Sequence, residues 1–342
     1  MYELLGEAAG CRRLATAFYA RVPKDPVLRR FFPGKSMKCA IEAFTAFLVE
    51  VLGGPGSESQ FRWYVGLRDS HSRFRIGQPE RAAWMALMAR ALEDAGVEEP
   101  LHSDLLAFFD RASARLVNHP QPSHGQPPEF PEPRGALAPA AKLQETLDEV
   151  VAAIRAGAAV RAIRLTFEAE AAGVEGSPLL GLFALMLRSG NAAMAEFVRQ
   201  RVADDLGLVQ ERHAGRTLLH EAAAAGDAVT IEFLLGHGAD PNALDGGDHP
   251  PLYSLANECQ SGGGRAVRVL VEAGADVNSH SGVQRCTPLH MAARRDNPDI
   301  AEALLECGAD PRARAKSGDT PIERALNCRS KAVAALLRER GA

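Results

Sequence analysis

No CxxC pair and no closely spaced Cys/His set occurs in this chain of 342 residues, so neither a zinc site nor a redox dithiol is indicated. The six cysteines, at 11, 39, 259, 286, 307 and 328, read as reduced thiols of a cytoplasmic protein, small hydrophobes in its core. Long apolar runs are also missing. The longest, Leu179 to Leu187, is well short of the roughly 18 residues a spanning helix needs, so no membrane partner is expected. The opening MYELLGEAAG is acidic and has no basic stretch with an apolar run behind it, so no secretory signal is visible. Neither sign of charge dominates: a net −4 gives no general pull toward nucleic acid or anionic lipid. Walker A, HExxH and GxSxG loops are absent, and with them any sign of the chemistry they carry.

Aromatic residues are scarce at 6%, and unevenly spread. Residues 1–118 hold both tryptophans, three of the four tyrosines and nine of the fourteen phenylalanines, more rings than a small helical core requires. The excess favours a cavity walled by rings. The same segment reads as helices. Leu14, Phe18 and Val22 form one stripe with Ala15 and Tyr19 beside it, and Met37, Ala40, Ile41, Phe44, Phe47, Leu48 and Val51 form another. The first should stop at Pro23 and the second at Gly53-Gly54-Pro55. A last stripe, Leu101, Leu105, Phe108, Phe109, Ala112 and Leu116, ends before His119-Pro120.

Between these stripes runs FRWYVGLRDSHSRFRIGQPERAAW, residues 61–84. With residues 58–70 helical, Tyr64, Leu67 and His71 share a face, which points the imidazole into a core. Phe74 and Ile76 follow, then Gly77 and Pro79 break the chain ahead of a helix carrying Trp84, Leu87, Met88, Ala91 and Leu92 on one side. Arg62, Arg68, Arg73, Arg75 and Arg81 crowd the window. An inward imidazole, an apolar wall and a ring of guanidinium groups suit haem, whose iron takes an axial histidine and whose propionates pair with cations. A buried structural histidine is the competing reading.

Residues 119–142 are too proline-rich for a packed element and read as a semi-extended linker. Beyond it the chain repeats itself. In TLLH, PPLY, TPLH and TPIE the fourth residues are His220, Tyr253, His290 and Glu323, spaced by 33, 37 and 33. The long interval contains Gly262-Gly263-Gly264 and one further residue before Thr287. GADPN at 238, GADVN at 274 and GADPR at 308 keep the same beat. Each unit holds two short helices and must stack on its neighbours to bury its apolar face, giving a solenoid. TPLHMAA and GADVN resemble the ankyrin repeat family, clearly over 212–342, with worn or capping copies over 143–211. The resemblance implies a surface for an unidentified protein partner and structural roles for His220 and His290.

Residues 1–118 resemble the group II truncated globins through FYARV, VLRRFFP, FLVEVLGGP, LRDSHSRFRI and ERAAWMALMARAL, in that order. The expected architecture is therefore all-α: a 2-over-2 helical sandwich at 1–118, the linker at 119–142, and an ankyrin solenoid at 143–342. The resemblance implies haem b, with His71 as the iron ligand and Phe32 wedging the ring. Tyr19 and Trp84 would donate hydrogen bonds to a bound diatomic (O2, NO or CO), with Phe44 facing it and Ala40 where many globins place a distal His or Gln. Leu67, whose carbonyl would accept from the other His71 nitrogen, Phe74 and Ile76 complete the expected pocket. Arg68 and Arg75 stand in for the family's basic residue before the histidine, which WYVGLRDSH lacks. The implied function is reversible binding of O2 or another diatomic. Two rivals use the same fold: a haem redox enzyme, such as a nitric oxide dioxygenase or a peroxidase-like protein, and a haem-free interaction scaffold.

Overall fold

The computed structural model describes residues 2–32, 36–54, 71, 74–118 and 137–340. Among them the regular elements are helices, with no strand. Two compact units divide the chain: one takes residues up to Ala152 together with Leu165–Val174, the other Ala153–Arg164 and everything from Glu175.

The first unit contains α1 (Tyr2–Leu5), α2 (Glu7–Arg21), α3 (Lys38–Val51), α4 (Gln78–Asp94) and α5 (Leu101–Ala114). α2 gives way at Pro23 to a single 3-10 turn, Val22–Lys24, because proline brings no amide to the ladder. α4 starts at a sharp break, where the Gly77 N–H donates to the Glu80 carboxylate at 2.7 Å and Pro79 occupies the first turn. The apolar stripes then meet. α2 packs on α3 and α4, and α4 packs on α5. Leu14, Phe18, Leu48, Met88, Leu92, Leu105 and Phe108 are fully buried between them. Each such side chain contributes about 2–3 kcal/mol of transfer free energy.

α6 (Leu137–Arg155) and α7 (Ala159–Ala171) follow. Residues 137–142 of the expected linker are therefore helical. Pro139 is tolerated because it falls in the first turn, where a backbone N–H would have no intrahelical partner. Residues 119–136 lie outside the described residues.

From Ser177 on, the second unit is a row of helix pairs: α8 (Ser177–Arg188) with α9 (Ala192–Asp204), α10 (Leu218–Ala225) with α11 (Ala228–Gly236), α12 (Pro251–Glu258) with α13 (Gly264–Glu272), α14 (Pro288–Arg295) with α15 (Pro298–Glu306), and α16 (Pro321–Cys328) with α17 (Lys331–Glu339). First helices stack on first helices and second on second, as a solenoid requires. The 37-residue interval is accounted for by the glycine run between α12 and α13 and one extra residue in the following loop.

The repeated phrases have physical roles. The glycines of Gly-Ala-Asp, at 238, 274 and 308, hold φ of 89°, 95° and 90°, where a Cβ is strained. Asn242, at the end of the phrase, reaches into the next copy: its Nδ2 donates to the Gly274 carbonyl at 2.8 Å, and its Oδ1 accepts the Asp276 N–H at 2.9 Å. Asn278 repeats this on Gly308 and Asp310 at 3.2 and 2.8 Å. Gln210 donates to the Gly238 carbonyl at 2.8 Å, so the ladder extends back to the worn copy that begins at Ser177.

Candidate functional site

A cavity of about 740 Å³, part of it open to solvent, is lined by residues of α2, α3, α4 and α5 together with Phe32 and His71. α2 supplies Phe18 and Tyr19, α3 supplies Ala40, Ala43, Phe44 and Phe47, α4 supplies Trp84, and α5 supplies Phe109, Ala112 and Ser113, with Leu116 just beyond it. Helical spacing explains the convergence: 40, 43, 44 and 47 share one face of α3, and 109, 112, 113 and 116 share one face of the α5 segment.

The rings interlock. Phe18 touches Tyr19, Phe44 and Trp84 at centroid distances of 5.1, 6.0 and 5.4 Å. Tyr19 packs edge-on against Phe32 at 5.4 Å and Phe44 at 6.2 Å, and Trp84 does the same to Phe109 at 5.6 Å. Burial pushes the Tyr19 phenol well above its ordinary pKa, so it stays protonated and can donate. Among the described residues nothing accepts a hydrogen bond from that phenol or from the Trp84 indole. Both side chains line a mostly apolar space.

Of the residues singled out in the sequence, Tyr19, Phe32, Ala40, Phe44, His71 and Trp84 line this cavity. Leu67 and Arg68 lie outside the described residues, and so does the expected bond from His71 to the Leu67 carbonyl. Phe74, Arg75 and Ile76 are not in the lining. The Phe74 ring packs on Phe31 at 5.6 Å, Arg75 is exposed, and Ile76 is held by Asn118. The Ile76 N–H donates to Asn118 Oδ1 at 3.0 Å, the Asn118 N–H donates to the Ile76 carbonyl at 3.0 Å, and Asn118 Nδ2 donates to the Phe74 carbonyl at 2.7 Å.

Of the five arginines in the window, Arg62, Arg68 and Arg73 lie outside the described residues. Arg81, only 10% exposed, pairs with the Asp110 carboxylate and donates to the Ser113 hydroxyl at 3.2 Å, tying α4 to α5 behind the cavity wall. Burial pushes the Asp110 carboxyl up, against the pull of the Arg81 guanidinium. Arg30 pairs with Glu80 and lies over the Phe31 ring at 5.0 Å.

Phe18, Ala43, Phe47, Phe109, Ala112, Ser113 and Leu116 were missed as lining residues. All but Ala43 and Ser113 belong to stripes visible in the sequence. A stripe tells which side of a helix is apolar, not whether that side meets another helix or an empty space.

In the second unit His220 and His290 are structural. His290 is fully buried, and its Nδ1 accepts the Thr287 N–H at 3.2 Å while Nε2 lies 3.0 Å from the Asp319 carbonyl. His220 repeats both contacts with Thr217 and His249. Arg188, Glu221, Arg216 and Glu258 close a ring of ion pairs across α8, α10 and α12, at 2.7 to 2.9 Å. All six cysteines are free thiols. Among the described residues no helix is long and apolar enough to cross a membrane.

Residues 1–118 match the family model of bacterial-like globins. Residues 214–246 match the ankyrin repeat, and 255–342 match a three-copy ankyrin model. The group 2 truncated hemoglobin YjbI of Bacillus subtilis is 29% identical over 117 residues, which is 34% of this chain and 87% of that protein. Ankyrin repeat and SOCS box protein 11 of Danio rerio is 37% identical over 105 residues, 31% of this chain and 34% of its own length. Alpha-latroinsectotoxin-Lt1a of Latrodectus tredecimguttatus is 35% identical over 133 residues, 38% of this chain but 9% of the toxin. The chain thus spans a minor part of these two larger relatives.

Proposed function

Because residues 1–118 form a bacterial-like globin domain and the C-terminal region is built of ankyrin repeats, we propose that this chain binds haem b at His71, takes O2 or another diatomic such as NO or CO, and holds a protein partner on its repeats. Globins bind diatomic gases and ankyrin repeats mediate protein interactions. The proposal for this chain rests on its own residues.

One observation carries the reading: the cavity gathers the His71 imidazole with the phenol of Tyr19 and the indole of Trp84, both lacking an acceptor among the described residues. The fit is good in kind. Rings wall the space, and an imidazole lies in its lining. When bound, haem would supply an iron that can take a diatomic ligand. His71 would hold the iron from one side. Tyr19 and Trp84 would each aim a hydrogen at partial negative charge on the outer atom of a diatomic, beside a wall formed by Phe18, Phe44, Phe47 and Phe109. Ala40 leaves that work to them.

The domains proposed are 1–118 for haem, a connecting stretch after it, and the repeats from 143 on. The six free thiols are in keeping with a reducing cytoplasm. Titration of the purified full-length protein with hemin tests the reading. A Soret band is expected, altered by His71→Ala, and its absence in the unsubstituted protein would leave a globin-shaped docking domain instead.

A further inference from the structure

Asn118 is the last residue of the globin match, yet its polar atoms turn back toward the segment that follows His71. Three hydrogen bonds join it to Phe74 and Ile76: the Ile76 N–H to its Oδ1 at 3.0 Å, its own N–H to the Ile76 carbonyl at 3.0 Å, and its Nδ2 to the Phe74 carbonyl at 2.7 Å. Phe74 is in turn tied to the histidine, because its N–H donates to the His71 carbonyl at 3.0 Å. On its ring side, Phe74 meets Phe31 at 5.6 Å and His71 at 6.4 Å. Phe74 and Ile76 are therefore held by Asn118 through their main-chain groups, and Phe74 by Phe31 through its ring.

Asn118 is exposed, where hydrogen bonds add little to overall stability. Three of them on one short segment constrain direction far more than they add free energy. The direction an imidazole takes toward a metal is set by such surrounding contacts.

We propose that Asn118 is a positioning residue for the His71 imidazole: by holding Phe74, whose N–H is bonded to the His71 carbonyl, it sets the tilt of the ring toward the iron. This rests on the haem reading above.

The test uses the full-length protein and its Asn118→Ala, Asn118→Ser and Asn118→Asp variants. In the hemin-free proteins, amide exchange at Ile76, whose N–H loses its acceptor, should quicken by about tenfold in Asn118→Ala. Asn118→Asp keeps the acceptor for the Ile76 N–H and loses the donor to the Phe74 carbonyl, so Ile76 should stay protected in it. With hemin added and reduced, resonance Raman should show the iron–histidine stretch shifted in Asn118→Ala and less so in Asn118→Asp. Faster exchange with an unmoved stretch would overturn the proposal, since Asn118 would then only hold the surface together. If Asn118→Ala fails to fold, Asn118→Ser and Asn118→Asp carry the same comparison. An unsubstituted protein that takes up no hemin would defeat the haem reading and this role with it, and the exchange data would still read whether the clamp forms.

Discussion

His290 Nε2 meets the Asp319 carbonyl oxygen at 3.0 Å, while the opposite nitrogen of the same ring accepts the Thr287 N–H at 3.2 Å. Both bonds need a neutral imidazole with its proton on Nε2. Burial pushes the pKa of His290 down, and that of His220 likewise. The folded pKa therefore lies below the unfolded value of about 6.5, so the folded state gains nothing from protonation. Their contribution is complete above about pH 6.5 and drains away as the pH falls below it. Urea unfolding followed by far-UV circular dichroism should give a lower midpoint for the repeats at pH 5.0 than at pH 7.5, and a His220→Gln, His290→Gln double variant should flatten that difference.

Tyr19→Phe should leave hemin uptake intact and speed O2 release about 10- to 100-fold, since a donor lost from a dry site costs about 1–3 kcal/mol. Stopped-flow displacement of O2 by CO measures it. An unchanged rate would assign the phenol to packing against Phe18, Phe32 and Phe44 alone.

Asn278→Ala should lower the stability of the repeats by about 1–2 kcal/mol, because it removes two bonds that cross between copies. Arg312→Ala, at the same place in the last Gly-Ala-Asp phrase, should have little effect. Urea midpoints of the two variants make the comparison.

Glu221→Ala should be the most costly of the ion-pair substitutions. It removes one partner each from Arg216, only 10% exposed, and Arg188, leaving both cations to share Glu258, for about 2 kcal/mol. Glu302→Ala breaks a pair with Arg340 in which both side chains are about half exposed, and should cost less than about 1 kcal/mol. Thermal unfolding of the two variants side by side checks the contrast.

The repeat half was open to reading because its signals are local and duplicated: Thr, His, Gly and Asn each answer a fixed backbone need, and each recurs at a set distance. Gln210 escaped notice because it does the asparagine's work with a different side chain, outside any Gly-Ala-Asp phrase. In the first domain the stripes on α2, α3, α4 and α5 gave the helices and much of the core. Phe32, Ala40 and Trp84 reached the site list through family likeness, since periodicity alone does not distinguish a ring facing a cavity from one facing a helix. Arg81 misled in the opposite way. Composition placed Arg81 near anionic edges, whereas Asp110, distant in sequence, claims it. Asn118 went unremarked because its partners, Phe74 and Ile76, are fixed by folding and not by spacing.

The asparagine rungs all point one way. Asn242 serves the Gly and Asp of the following copy, and Asn278 those of the copy after that. Each copy therefore carries the means to fasten its successor, and receives its own fastening from its predecessor. Gain or loss of a whole copy by gene duplication or deletion would leave every remaining junction intact, whereas a change of half a copy would sever one. Such an array can alter its length in evolution without renegotiating its joints.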